Sequence, residues 1–303
     1  MKLSNVKSIV TVAETGSIRA AATLLNKTQS ALTKEILKIE SEIGLSLFLR
    51  TTRGVIPTEA GLRVLSRARS IDADLTSLSE EIAYLKGQET GHIKVSAAPL
   101  AATKIIPRAI ARLKQSYANA SVTVSSDLFG DAIKALREGQ HDLIIGPYSR
   151  HKTHSDLVAE DLLTTEIVII TSKASRYAHA TSLAELTDGY WAMMGDTIGA
   201  PKMRFRKQFE QHNIEAPNIQ LASESRLGLL ALIEELGAIS TYPKHLLQEL
   251  EGQSQIVQIP VKESLIPLQL SLITRTGRSL TPVADYFADC IRHRAALLRK
   301  EWH

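Results

Sequence analysis

The sequence predicts three consecutive parts: an N-terminal all-α winged helix-turn-helix, one long linker helix, and a C-terminal α/β domain of two lobes. Three observations carry this reading. Short amphipathic helical patterns crowd the first 44 residues, an apolar repeat without proline runs from Thr58 to Lys86, and strand and helix patterns alternate from Gly91 onward.

In the first part, Val6, Ile9, Val10 and Ala13 recur at helical spacing, with Ser4 as the expected N-cap and Gly16 as the stop. Ser17 is placed to cap a second pattern of Ile18, Ala21, Ala22 and Leu25. Thr28 is placed to cap a third, in which Leu32, Ile36, Ile39 and Ile43 point inward and Gly44 ends the helix. Three helices in about 40 residues is the scale of a helix-turn-helix. Residues 45–58, LSLFLRTTRGVIPT, then set two β-prone runs around a basic turn containing Gly54, which predicts a two-stranded wing.

In the second part, Leu62, Leu65, Ala68, Ile71, Leu75, Leu78, Ile82 and Leu85 lie three or four residues apart. They predict one apolar seam along a helix roughly 40 Å long. The flanking domains hold enough apolar residues for their own cores, so Leu62, Leu65, Leu75, Leu78, Ile82 and Leu85 are expected to serve dimerisation.

In the third part, strand patterns at 93–97, 122–126, 142–146, 166–171, 238–241 and 268–274 alternate with helical patterns at 108–117, 131–138, 201–212, 226–236 and 282–298. The alternation predicts parallel sheets covered by helices, in two lobes with a ligand crevice at the carboxyl ends of the strands.

Net charge is +4, and its distribution is uneven. Residues 1–58 hold eight Lys or Arg against four acids, while the rest of the chain balances at 28 of each. The whole excess therefore sits where a polyanion would feel it. Cys290 is the only cysteine, and no Cys/His cluster has structural zinc spacing, so no disulfide, metal or cofactor is expected. The N-terminus lacks a continuous apolar run, and no stretch reaches the length needed to cross a bilayer. These features point to a cytoplasmic, nucleoid-associated protein without a membrane partner.

Residues 16–61, GSIRAAATLLNKTQSALTKEILKIESEIGLSLFLRTTRGVIPTEAG, resemble the LysR-type transcriptional regulators closely. The likeness lies in the paired Ala before Leu24, Gln-Ser-Ala in the third helix, the Leu-Phe-x-Arg wing entry and the Thr-x-Ala-Gly that opens the linker helix. Two departures are mild: Ile39 and Ile56 stand where Leu is commoner. The resemblance implies a DNA-binding domain at 1–58, a dimerisation helix at 59–87, and a periplasmic-binding-protein-like effector domain at 91–303. Lobe I would take about 91–161 and 268–303, and lobe II about 162–267. It further implies a homodimer or homotetramer on double-stranded promoter DNA, with no enzymatic activity.

Within that frame, Gln29 suits bidentate hydrogen bonds to adenine, and Ser30 and Thr33 suit base edges or phosphates. Lys34 and Lys38 lie on the same outer side and reach backbone oxygens. Arg50 and Arg53 flank the wing turn and suit phosphate or a narrow minor groove; a structural ion pair is the alternative for Arg50.

For the effector crevice, Pro99, Leu100, Ala101 and Thr103 form one expected wall, where Pro107 is expected to open a long helix and free N–H groups would suit a carboxylate. Gly146 and Pro147 form a second. The resemblance places Thr197, Ser225, Arg226, Thr241 and Tyr242 opposite them, with Arg226 as the first choice for an anionic effector. Aromatic or other organic acids are the candidate class. A plain helix cap and a surface salt bridge account for Thr103 and Arg226 equally well on sequence alone.

Other signals lead elsewhere. GDTIG at 195–199 has nucleophile-elbow spacing, but Thr replaces Ser and no partnered His is evident. His151 and His154 suit solvated surface positions, and Cys290 falls on the apolar face of Val283, Phe287 and Ile291. Two rival readings remain at this stage: an architectural DNA binder without an effector, and a small-molecule-binding protein or enzyme carrying a basic N-terminal segment.

Overall fold

The computed structural model describes residues 2–52, 54–88, 90–148, 155–195, 200–250, 252 and 254–302. The N-terminal helices are α1 (Leu3–Thr15), α2 (Ile18–Leu24) and α3 (Gln29–Ile43). Ser17 Oγ accepts from the Ala20 N–H and Thr28 Oγ1 from the Ala31 N–H, so both predicted caps form. Gly16 and Gly44 end their helices in the left-handed conformation. Ser4 is not a cap: α1 starts two residues earlier than that would require, with Lys2 at the N-cap, and the Ser4 hydroxyl donates to Asn5 Oδ1. Ile9, Val12, Ala21, Leu32, Ile36, Ile39 and Leu47 make the core of this domain.

The wing is an antiparallel pair, β1 (Phe48–Thr51) and β2 (Gly54–Pro57). Its entry is pinned to α3, because Glu40 Oε1 accepts from the N–H groups of Leu47 at 2.6 Å and Phe48 at 3.1 Å. Next comes α4 (Glu59–Leu85), capped by Thr58, whose Oγ1 accepts from the Gly61 N–H at 2.8 Å. The start of α4 lies so close to the wing entry that a Cβ on Gly61 would sit 2.0 Å from Leu47 O.

The single seam expected on α4 divides in two. Leu65 is 1% exposed and Ala68 4%, both packed on the DNA-binding domain, so Leu65 is not available for dimerisation. Ile71, Leu78, Ile82 and Leu85 stay open to solvent, and Leu75 is half-buried. The reason is angular. At 3.6 residues per turn, each three-residue step falls about 60° short of a turn, and the steps 62–65–68–71 carry the stripe halfway round the helix. Leu62 thereby falls on the side opposite Ile71, also exposed.

The rest of the chain continues with β3 (His92–Ala97), α5 (Pro99–Lys104), α6 (Ile106–Ser116), β4 (Ser121–Ser125), α7 (Phe129–Arg137), β5 (Leu143–Pro147) and β6 (Leu157–Thr165). Lobe II supplies β7 (Ile167–Ser172), β8 (Trp191–Met194), α8 (Ala200–Glu210), β9 (Ile219–Ser223), α9 (Arg226–Leu236), β10 (Ser240–Pro243), α10 (Lys244–Leu247) and β11 (Ile256–Ile259). The chain then returns through β12 (Leu268–Arg275) to α11 (Pro282–Trp302).

The first sheet has the order β4-β3-β5-β12-β6, and the second lobe holds β10-β7-β11 and β8-β9. Parallel sheets were expected, and the structure bears this out for β3–β4, β3–β5 and β8–β9 but corrects it elsewhere. β3 is parallel to both neighbours, but β12 runs antiparallel to β5 and β6, and β7 antiparallel to β10 and β11. The returning strand comes from the other lobe rather than from a crossover helix, so no right-handed βαβ rule governs its direction. β6 and β12 pair along their whole lengths, with one bulge at Leu270/Ser271, and both connections between the lobes leave from this ribbon.

Cys290 is buried in the large core under α11, and burial pushes its thiol up. No described helix is long and apolar enough to cross a membrane.

An alanine inside a helix ordinarily gains about 0.5–1 kcal/mol over glycine. Gly61→Ala is expected to reverse that sign and lower stability by about 1–3 kcal/mol, because the methyl meets backbone that cannot move without displacing the wing. Urea unfolding of the full chain tests it; a stabilised variant would show that the contact relaxes.

Candidate nucleic-acid interface and interlobe crevice

On α3 the two faces separate cleanly. Leu32, Ile36 and Ile39 are buried, while Gln29, Ser30, Lys34 and Lys38 are exposed and Thr33 is half-exposed. All five lie on the solvent side of the helix, three of them in or next to its first turn. A polar triad behind them holds the helix in place. Lys27 Nζ donates to Glu35 Oε2 at 2.6 Å and to Ser8 Oγ at 3.2 Å, and Ser8 Oγ donates to Glu35 Oε1 at 2.9 Å. The sequence reading missed this triad, since Ser8, Lys27 and Glu35 share no local motif. Arg50 is exposed on β1 with no ion pair among the described residues, so the alternative of a structural pair falls away. Arg53 lies outside the described residues.

Behind the DNA-binding domain, α4 docks on lobe I through polar contacts. Arg69 Nη1 meets Glu138 Oε2 at 2.8 Å, and Arg275 Nη1 donates to Ser70 Oγ at 2.8 Å. Arg278 reaches Asp74 at 3.1 Å and Ser77 at 2.9 Å, and the His92 N–H donates to Glu80.

Between the lobes, the structure brings Pro99, Leu100 and Ala101 together with Gly146 and Pro147 at the carboxyl ends of β3 and β5. The Ala98 N–H donates to Ile145 O, and a Cβ on Gly146 would lie 3.8 Å from Ala98 Cβ. The Leu100 and Ala101 side chains are buried, so backbone is what they offer the crevice. Thr103 is corrected. Residues 99–104 form a helix of their own; Pro107 stands in the first turn of the next helix, close to the opening position expected of it, and the Thr103 hydroxyl donates back to Pro99 O at 3.2 Å. It therefore offers no cap to an anion.

Lobe I adds residues that sequence reading did not name. Leu128, just before α7, comes near Gly195 of lobe II, where an added Cβ would lie 3.2 Å from its side chain. Asp127 accepts from His141 Nε2 at 2.8 Å and from Ser125. Burial raises its carboxyl, but hydrogen bonds with Ser125, Ser96 and His141 outweigh this and hold it below the usual carboxylate value. The signal available was the Ser-Ser-Asp run at a strand's carboxyl end.

On lobe II, Ser225 is the N-cap of α9, accepting from the Gly228 N–H. Arg226 is committed inside the protein: Nε donates to Tyr242 Oη at 2.8 Å and Nη2 pairs with Glu249 Oε2 at 3.1 Å. Glu249 also meets Lys104 of lobe I at 3.0 Å, which makes Lys104–Glu249–Arg226 a chain of charge across the lobes. Arg226 is thus a structural ion-pair residue rather than a free anion receptor. Tyr242 is 2% exposed, and burial pushes its phenol up despite Arg226. Strand alternation sends Thr241 to the opposite face from Tyr242, so the two cannot line one wall. Thr197, His151 and His154 lie outside the described residues. A shallow, polar depression of about 510 Å³ lies elsewhere on lobe II, but there Arg176 is already paired with Asp188 at 2.9 Å.

Residues 3–62 match the bacterial regulatory helix-turn-helix protein model of the lysR family, and residues 86–296 match the LysR substrate binding domain. The HTH-type transcriptional regulator TdcA of Escherichia coli (strain K12) is 26% identical over 262 residues, covering 86% of this chain and 83% of TdcA. YbhD of the same strain, an uncharacterised HTH-type transcriptional regulator, is 29% identical over 298 residues, covering 94% of this chain and 89% of YbhD. The crystal structure of CbnR, a LysR family transcriptional regulator, superposes with a TM-score of 0.70 at 20% identity, covering 97% of this chain and 99% of CbnR. The relatives' role is regulatory rather than enzymatic. With a helix-turn-helix at one end, a substrate-binding module over most of the remainder and α4 between them, the chain belongs to the LysR family of bacterial transcriptional regulators.

Proposed function

We propose that this chain reads promoter DNA with the outer face of α3 and the wing, assembles through the open stripe of α4, and is switched by a small organic acid between its lobes. The observation that carries the reading is the division of α3. Gln29, Ser30, Thr33, Lys34 and Lys38 face solvent from a helix whose other side is sunk in the core and pinned through Glu35. A soluble helix gains nothing by holding such a face rigid; a major groove does. CbnR has been crystallised in complex with its target DNA, and this chain superposes on that complex's protein with a TM-score of 0.55.

In this reading Gln29 specifies bases, while Lys34, Lys38, Arg50 and Arg53 meet phosphates. Ile71, Leu75, Leu78, Ile82 and Leu85 cover the matching stripe of a second copy, giving a homodimer that can pair again into a tetramer. The crevice between the walls at 98–101 and 146–147 and the β8–β9 end of lobe II holds the effector. Effector binding changes the angle between lobes, and α4 passes that change to the DNA-binding domain.

Two measurements test this. Gln29→Ala is expected to lower discrimination between the preferred operator and a mismatched one by about 1–3 kcal/mol. Lys38→Ala should weaken binding to every sequence and flatten the salt dependence by about one phosphate contact. Unchanged affinity of both variants for all sites would remove α3 as the reading helix.

Separately, Leu78→Glu combined with Ile82→Glu should turn the oligomer into a folded monomer in light scattering, with the far-ultraviolet circular dichroism kept, because both side chains are exposed in the single chain. An unchanged molar mass would exclude the α4 stripe as the dimer contact.

A further inference from the structure

Lobe II faces lobe I near the carboxyl end of β9, the end of a strand at which open α/β sheets bind ligands. Gly195, close to Leu128 of lobe I, donates its N–H to Ser223 O at the end of that strand. Three residues further on, Arg226 opens α9 and joins the charged chain to Lys104, the last residue of the α5 helix that begins in the lobe I wall at Pro99. The chain crosses from lobe to lobe and so borders the crevice.

Its geometry is that of a filled receptor. Glu249 turns one carboxylate oxygen to each lobe: Oε1 lies 3.0 Å from Lys104 Nζ and Oε2 3.1 Å from Arg226 Nη2. Both cations are held from behind. Arg226 Nε donates to Oη of the buried Tyr242 at 2.8 Å, and Arg294 of α11 fixes the backbone of Lys104, its Nε donating to Lys104 O at 3.3 Å. The carboxylate is the weakly anchored member. It sits on the three-residue turn Gln248–Leu250, none of whose residues is buried, and its side chain is 28% exposed. A segment with so little burial opens at low cost.

An incoming carboxylate that takes the place of Glu249 keeps both charge pairs, so neither cation is left uncompensated. What it must outcompete is one internal carboxylate held nearby at high effective concentration. We propose that Lys104 and Arg226 form the receptor for the carboxylate of a small organic acid, and that Glu249 fills it as a built-in counter-ion until the acid displaces it. This rests on reading the crevice as the effector site, and it gives that site both its anion-selecting residues and its internal competitor.

The test uses the full-length protein at fixed pH and ionic strength, its thermal midpoint, and four probes: benzoate and succinate, with benzamide and succinamide as uncharged counterparts. Glu249→Gln keeps the shape of the side chain and removes its charge. In this variant at least one acid, and neither amide, should raise the midpoint saturably. Its apparent affinity for that acid should be roughly threefold to thirtyfold above that of the parent protein. A parent too weak to shift beside a variant that shifts is the same result at its limit. Lys104→Gln, alone or added to Glu249→Gln, should take most of the affinity away. Arg206→Gln, which removes an exposed charge paired with Glu210 on α8, should change nothing.

The proposal fails if the parent binds an acid as tightly as Glu249→Gln does, or if Lys104→Gln leaves the affinity intact. It fails equally if Glu249→Gln stays flat with every probe. An acid bound alike by parent and variants removes only the receptor and its counter-ion and leaves the crevice as an effector site; flat curves throughout, together with DNA binding indifferent to all four probes, remove the effector reading as well.

Discussion

Along α4 one circumference serves two domains and still keeps an open apolar stripe, and this constraint organises the molecule. Gly61, Leu65 and Ala68 are taken by the DNA-binding domain. Arg69, Ser70, Asp74, Ser77 and Glu80 are taken by lobe I, and the stripe from Ile71 to Leu85 stays open, as does Leu62 on the opposite side. The three surfaces differ in chemistry, which keeps them from exchanging roles. The first is apolar and close-packed, so it moves with its domain. The second is polar, and its strongest member is the pair between Arg69 and a Glu138 that is only 2% exposed. Separating those two would strand a buried carboxylate, so α4 and lobe I resist sliding and shift as one body.

The lobes are joined by a different device. Because β6 and β12 pair from end to end, both connections emerge side by side, and the second lobe can turn about one short ribbon. Two contacts limit that turn. Lys104–Glu249–Arg226 spans the lobes through charge, and His245 of α10 stacks on Trp302 of α11 at 3.6 Å while its Nδ1 meets Thr165 Oγ1 at 2.9 Å. The charged chain is partly exposed and therefore modest in strength. A chain of that strength limits the turn without locking it.

Much of this was legible from residue order, and the gaps have physical causes. Capping by Ser17 and Thr28, the stops at Gly16 and Gly44, the wing and the long helix all depend on neighbours within a few residues, and all are present. Four strands went unseen. β6 carries Glu160 and Asp161 in its middle, satisfied by Arg292 and Ser271 from far along the chain, and these hide its alternation. β8, β9 and β11 are four or five residues long, too short to show a period. The apolar repeat of α4 was read correctly as residues and wrongly as one stripe, because three-residue steps drift around a helix. In the crevice the error was of another kind. Arg226 has the right chemistry and place, but whether a guanidinium is free depends on Glu249 and Tyr242, which no local pattern reveals.

The same distinction separates Lys27 from the exposed cations of α3 that stand next to it. Its ammonium is held by Glu35 and Ser8, so the local positive charge is spent on fixing the angle between α1 and α3. A recognition surface needs both: cations left free to meet phosphate, and at least one consumed in keeping the helix from rocking. Lys34 and Lys38 are exposed, while Lys27 is consumed in holding α3. Glu40 extends the principle to the wing by holding two backbone N–H groups at its entry. The basic excess of the first 58 residues is therefore not a uniform cloud. Part of it faces outward from α3 and β1, and part is turned inward as the frame that gives that face a fixed shape.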